Sequence, residues 1–152
     1  MLKLKTRPTG AVTSSHFELV EENVPDLEEG EILVKVLYLS FDPTQRGWLN
    51  DVKSYVPPVQ IGEVMRAGSV GQVVDSRDSN FKSGDIVQGS FGWQEYAAVN
   101  SSSGIMPIQK VPEGIPPTSA LSIYGITGLT AFFGMVDIGT VSYTHLRAHE
   151  TS

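Results

Sequence analysis

The sequence contains no cysteine, and only 11 lysines and arginines stand against 17 aspartates and glutamates in its 152 residues. The first absence excludes disulfides and thiolate metal sites. The second leaves a net charge of −6 with no Lys/Arg cluster, which argues against a nucleic acid or other polyanion as partner. No apolar run approaches the about 20 residues of a membrane span, and the first residues lack the apolar core of a signal peptide. The expectation is therefore a cytoplasmic protein with no membrane partner. The match of Asn100-Ser101-Ser102 to a glycosylation sequon is then taken as chance. With 40% hydrophobic and 18% charged residues, the composition is that of an ordinary globular chain with one core.

What is present is a series of short strand patterns. Residues 61–89 carry the β-branched Val70, Val73, Val74, Ile86 and Val87, divided by Gly68, Gly71, Gly84 and Gly89. They read as strand, bend, strand, turn, strand, with residues 80–85 as the turn and the glycines as corners that curl a small sheet into a barrel. Strand alternation also marks residues 1–7, 17–21 and 92–99, and residues 31–40 form the longest apolar strand candidate. That strand leads into residues 41–47, where Pro43 stops the ladder and holds Asp42 extended, and a polar loop is expected to follow through Lys53.

After Pro116-Pro117 the period changes. Leu121, Tyr124, Leu129, Phe132, Phe133 and Val136 fall close to one face of a helix that Thr118 or Ser119 can cap. Gly125 and Gly128 weaken it by about 1 kcal/mol each relative to Ala, and either break it in two or let another backbone or a ligand approach closely.

Several of these stretches together resemble a known family. They are Leu-Ser-Phe-Asp-Pro-Thr-Gln-Arg-Gly (39–47), Ser-Tyr-Val-Pro-Pro-Val-Gln-Ile-Gly-Glu-Val-Met (54–65), Gly-Asp-Ile-Val (84–87), Gly-Trp-Gln-Glu-Tyr (92–96), Gly-Ile-Thr-Gly-Leu-Thr-Ala (125–131) and Asp-Ile-Gly (137–139). Their order and spacing resemble the zinc-independent medium-chain dehydrogenase/reductases, in the branch of NADP-dependent alkenal and enone reductases that includes the prostaglandin reductases. The resemblance covers roughly residues 1 to 139. It implies a mainly β chain: a GroES-like, partly open β-barrel over 1–117, a helix over 118–139, and no α/β Rossmann domain. The missing cysteines agree with the zinc-free branch, since zinc-dependent relatives bind the metal through Cys and His.

The activity implied is the N-terminal part of an NADPH-dependent oxidoreductase that reduces the C=C bond of α,β-unsaturated aldehydes or ketones, inactive in this shortened form. A quinone reductase of the same superfamily and a non-enzymatic GroES-like binding module remain as alternatives. The small-molecule partner is accordingly an enone, an enal or a quinone, and a homodimer stays open for the complete enzyme.

The resemblance places Pro43 and Thr44 at the nicotinamide, against a plain strand-ending turn, and sets the Thr127 hydroxyl at its amide. Thr44 stands where many relatives have Tyr. Tyr55 is either a substrate-side hydroxyl or a lid on Pro57 and Pro58, Glu63 is at the cleft edge or solvent-facing, and Trp93 is core or cleft wall. Asp42 is expected to bond the local backbone, Arg46 to make a surface salt bridge unless it meets a phosphate, and His16 to lie at the surface. No nucleophile-base pair is present, so no catalytic residue is assigned.

Residues 140–152 depart from the pattern, which requires a strand and a glycine-rich turn next. Residues 141–151 resemble instead one translated frame of a sequencing-library adapter, and the tail is expected to be foreign to the fold. Removing 141–152 takes away one acid and one base and leaves the charge unchanged. His145 and His149 stand at i, i+4 with no third ligand nearby, so no metal site is expected.

Overall fold

The computed structural model describes residues 1–102, 104 and 107–139; the expected tail, with His145 and His149, lies outside the described residues. The elements in order are β1 (Leu2–Leu4), a 3₁₀ turn (Ser14–His16), β2 (Phe17–Leu19), β3 (Glu31–Leu39), α1 (Thr44–Trp48), β4 (Ser69–Ser76), β5 (Ile86–Gly89), β6 (Tyr96–Asn100), β7 (Gln109–Lys110), a 3₁₀ turn (Pro117–Leu121), α2 (Ile126–Phe132) and a π-helical turn (Phe133–Ile138). The chain is mainly β, with β1 and β2 paired in one sheet and the order β6-β3-β4-β5-β7 in the other. Among the described residues β6 and β7 are not paired, so the barrel is partly open.

Alternation explains β3. Ile32 and Val34 point inward and are fully buried, whereas Glu31, Leu33 and Lys35 take the other face. β3 pairs antiparallel with β4, with Val34 opposite Val73 and Val36 opposite Gly71. Ile32, Val34, Val73, Val87, Phe91 and Ala97 form the core of the larger sheet, flanked by Val36, Phe81, Val99 and Ile108. A second core of Leu4, Leu49, Val59 and Met65 holds the small sheet against residues 48–66, each such side chain contributing about 1.5–3 kcal/mol when fully buried. The free side of β1 is tied there by the backbone: Leu2 N donates to Trp93 O at 2.8 Å, and Leu4 N to Glu63 O at 2.9 Å.

Three expectations require correction. The strand, bend, strand reading of 61–76 is replaced by one eight-residue strand, preceded by a segment with a single bridge from Val64 to Lys3. Gly71 does not break that strand; a Cβ there would run into the Val34 methyl and approach Lys35 O to 2.6 Å. The register shifts lie beside it, between Val36 and Tyr38 and between Leu33 and Val34. Residues 44–48, for which the sequence pattern names no element, form one helical turn, which Pro43 enters with helical φ and ψ; residues 49–53 beyond it belong to no helix or strand. The strand expected over 92–99 begins only at Tyr96, because Gly92, at φ +75°, passes tightly against Met65 O. Finally, residues 118–139 are not one continuous helix: the 3₁₀ turn ends at Leu121, and α2 starts after Gly125.

Asp85 and Lys110 fasten β5 to the short edge strand β7 at 2.7 Å. The Lys110 hydrogen bond and the Lys82 backbone N–H hold the Asp85 carboxyl below its ordinary 3.8. A depressed carboxylate stabilises the fold above the unfolded-state value and loses that contribution as pH falls through the folded one. The stability difference between the chain and its Asp85→Asn variant is therefore expected to be constant above about pH 5 and to shrink below 3.8, as measured by urea denaturation across that range. At Gly71 an added methyl has no room, so Gly71→Ala should cost about 1–3 kcal/mol, while Gly10→Ala, where nothing lies within 4 Å, should be near neutral in the same assay.

Candidate functional site

The end of β3 delivers residues 40–45 into a compact set of hydrogen bonds. Ser40 N donates to Gly68 O at 2.8 Å, and Ser40 Oγ donates to Asp42 Oδ2 at 2.8 Å. Gln45, buried on α1, turns its Nε2 back to Ser40 O at 2.7 Å, while its own N–H donates to Asp42 O at 3.0 Å. Arg46 reaches the other way, with Nη2 on Gly10 O at 3.1 Å and Nη1 on Asn50 Oδ1 at 2.8 Å. Its guanidinium thus clasps backbone carbonyls and an amide, and the surface salt bridge expected for it is not among the ion pairs of the described residues.

A cavity of about 90 Å³ lies beside this segment, where the ends of β3, β4 and β5 meet the 3₁₀ turn and the start of α2. Ser40, Asp42, Gln88, Gln109 and Thr127 give it polar groups, and Leu121 and Ile126 give it apolar walls. Gly125 and Gly128 shape that wall. A Cβ on Gly125 would stand 2.5 Å from Ala120 O, and one on Gly128 would collide with the Ile123 carbonyl. The close approach that these glycines permit is made by the chain's own backbone, and Gly128 N donates to Ser122 O at 3.0 Å.

The structure brings Thr127 together with Ser40 and Asp42 in this cavity. Pro43 and Thr44 follow Asp42 directly, both exposed, as the cap and first residue of α1. Tyr55 is 75% exposed in the loop before Val56, away from the cavity lining. Glu63 sits in a turn rather than in an apolar strand; its carboxylate accepts the Gln60 N–H at 2.8 Å and faces an open groove beside Lys3. Trp93 is half-buried, 5.2 Å from the Phe17 ring and 5.6 Å edge-on to Phe41, which is itself 76% exposed. The Trp93 Nε1 has no hydrogen-bond partner among the described residues. Of the six candidates only Thr127 lines the cavity; Pro43 and Thr44 adjoin it in sequence, and Trp93 reaches the same segment through Phe41. His16 is at the surface, where its Nδ1 lies 3.0 Å from Thr13 N. Among the described residues no three His, Asp or Glu side chains gather in a way that could hold a metal.

The lining joins the polar residues Thr127, Gln88 and Gln109 to apolar walls, a mixture that can take a small, partly polar group. No cationic side chain lines it, so phosphates would have to be held elsewhere. The sequence pointed Asp42 to the local backbone and Arg46 to a surface salt bridge or a phosphate, and gave no role to Ser40, Gln45 or Gln88. Ser40 and Gln45 stand inside the 39–47 stretch, but nothing in their spacing shows that Gln45 folds back onto Ser40.

Residues 1–108 match the family model described as the N-terminal domain of oxidoreductase. The NADPH-dependent curcumin reductase of Escherichia coli is 40% identical over 136 residues, covering 90% of this chain and 39% of that protein. Prostaglandin reductase 1 of Bos taurus is 35% identical over 135 residues, covering 89% and 39%. Among solved structures, CurA from Vibrio vulnificus in complex with NADPH superposes with a TM-score of 0.81 at 38% identity, covering 93% of this chain and 41% of that one. The chain thus spans about two fifths of the length of the relatives it matches.

The lock on residues 40–45 gives a test. Replacing the Gln45 amide leaves the Ser40 carbonyl without its donor, so Gln45→Met should lower stability by about 1–3 kcal/mol. Amide hydrogen exchange at Gln45 and Arg46 should speed up, with β5 unchanged.

Proposed function

The chain belongs to the zinc-independent medium-chain dehydrogenase/reductases, as the N-terminal oxidoreductase domain of that family, and from this we propose that it supplies the substrate side of an NADPH-dependent enone or enal reductase. The observation that carries the reading is the cavity at the end of β3. Asp42 and Thr127 lie in it, and they belong to two of the stretches by which the family is recognised. The relatedness to a curcumin reductase and a prostaglandin reductase supports the same substrate class.

The described residues fit the nicotinamide end of NADPH and not its phosphates. Bound there, NADPH would supply a hydride to the β-carbon of the unsaturated carbonyl. The chain's own part is to bind and orient. The Thr127 hydroxyl and the neighbouring side-chain amides hold a carboxamide, while the bonds among Ser40, Asp42 and Gln45 keep the cavity wall from shifting. Pro43 and Thr44, on the exposed rim after Asp42, would flank the ring, and Phe41, Tyr55 and Trp93 would form an aromatic surface toward the substrate, with Glu63 at its edge. Such a surface excludes water from the reacting carbons.

In this reading residues 1–117 are the substrate-side domain, and 118–139 lead into a cofactor-binding part. Leu129, Phe132, Phe133, Val136 and Ile138 support it, because all are at least 48% exposed and need a cover. The chain alone should then be inactive. Joined after residue 139 to the remaining part of the E. coli curcumin reductase, it should oxidise NADPH with an enone as acceptor. Thr127→Ala in that chimera should raise the KM for NADPH by roughly fivefold, the value of one hydrogen bond, with kcat less affected. Oxidation with a quinone but no enone would overturn the substrate class. A folded chimera that does not bind NADPH would favour the non-enzymatic binding module.

A further inference from the structure

An open groove of about 1100 Å³ is bounded by residues 20–25, residues 62–64 and β6. Leu33 and Ala98, paired across β3 and β6, lie in its floor. Glu21, Glu22, Glu63 and Glu95 line it, against two cations. One of these, Lys3, is paired with Glu22, and the other, the Met1 amino group, donates to Val20 O at 2.9 Å. Glu21 and Glu95 have no ion-pair partner among the described residues.

Among the described residues, the strand beside this groove, β6, has one neighbour, β3. Val36 N donates to Glu95 O at 2.8 Å and Ser101 N to Gly30 O at 3.1 Å, which sets the phase of the β3·β6 ladder. Bonding residues alternate in an antiparallel ladder, so the N–H and C=O groups of Tyr96 and Ala98 point away from β3. Neither residue has a further backbone partner among the described residues. Sheet edges are ordinarily blunted by shortness, by Lys or by Pro. The opposite edge, β7, follows that rule with two residues, one of them Lys110. Five-residue β6, Tyr-Ala-Ala-Val-Asn, follows none of it.

We infer that β6 accepts an added strand from an extended, cationic peptide segment laid along the groove. The peptide backbone bonds to Tyr96 and Ala98, and its Lys or Arg side chains, two residues apart on one face, meet Glu21 and Glu95. A second copy of this chain is a poor occupant, because pairing β6 with β6 would bring both sets of carboxylates together on molecules that each carry −6.

The probe is a short synthetic peptide alternating lysine with valine, compared with its glutamate counterpart and with a version N-methylated along one edge. Binding is measured by fluorescence anisotropy, and its site by amide shifts and hydrogen exchange. The lysine peptide should bind and protect Tyr96 and Ala98. N-methylation, and Ala98→Pro, which removes an outward N–H that β3 does not use, should each weaken binding by about tenfold or more, with the fold of the variant checked by its amide spectrum. Glu21→Gln with Glu95→Gln, and added salt, should weaken it further. Equal binding of the glutamate peptide, protection elsewhere, indifference to N-methylation, or self-association through Tyr96 and Ala98 that the peptide does not disrupt would each overturn the inference.

Discussion

The close approach of β3 and β4 at Gly71 is the constraint on which the rest depends. With no Cβ at 71, the Val34 methyl and the Lys35 carbonyl settle directly against the β4 backbone. That contact sets the register that puts Val34 opposite Val73 and keeps both at zero exposure. A one-residue slip would turn the buried face outward. The one extra residue between Val36 and Tyr38, Leu37, is absorbed by a register shift rather than by a break, so β3 runs on to Leu39 and places Ser40 at the cavity.

From that point order is passed on by polar groups. Ser40 binds Gly68 through its N–H, Asp42 through its hydroxyl and Gln45 through its carbonyl. A segment with so many internal bonds is pre-organised, which is what a site that must orient a ligand needs. The apolar wall across the cavity is built on two glycines that let the chain turn back on itself before α2. Strand end, one-turn helix and glycine turn therefore converge, although 80 residues of chain separate Ser40 from Ala120.

Two surfaces are left with unmet packing or hydrogen-bonding capacity among the described residues. One is the apolar face of α2 and the π-helical turn, from Leu129 to Ile138. The other is the uncharged edge of β6 above an acidic groove. They differ in what they can receive: the first offers only apolar side chains, while the second offers directional backbone groups and charge. That difference is why the second identifies the chemistry of an occupant and the first states only that a cover is needed.

Alternation and turn chemistry made the mainly β class, the long strand over 31–39 and the turn before β5 legible. The order of short motifs made the family legible. These are local properties, carried by period and by residues such as Pro and Gly whose backbone preferences hold in any context. The one-turn helix at Thr44–Trp48 was invisible, because five residues including Gly47 carry no period. The separation of Thr127 from Tyr55, Glu63 and Trp93 was also invisible, as was the fold-back of Gln45 onto Ser40. Each depends on which distant backbone arrives beside it, and side-chain spacing along the chain holds no record of that. The sequence by itself determined the strands and the family; the tertiary structure alone decided which candidates share a cavity, because only packing fixes the distances between segments far apart in the chain.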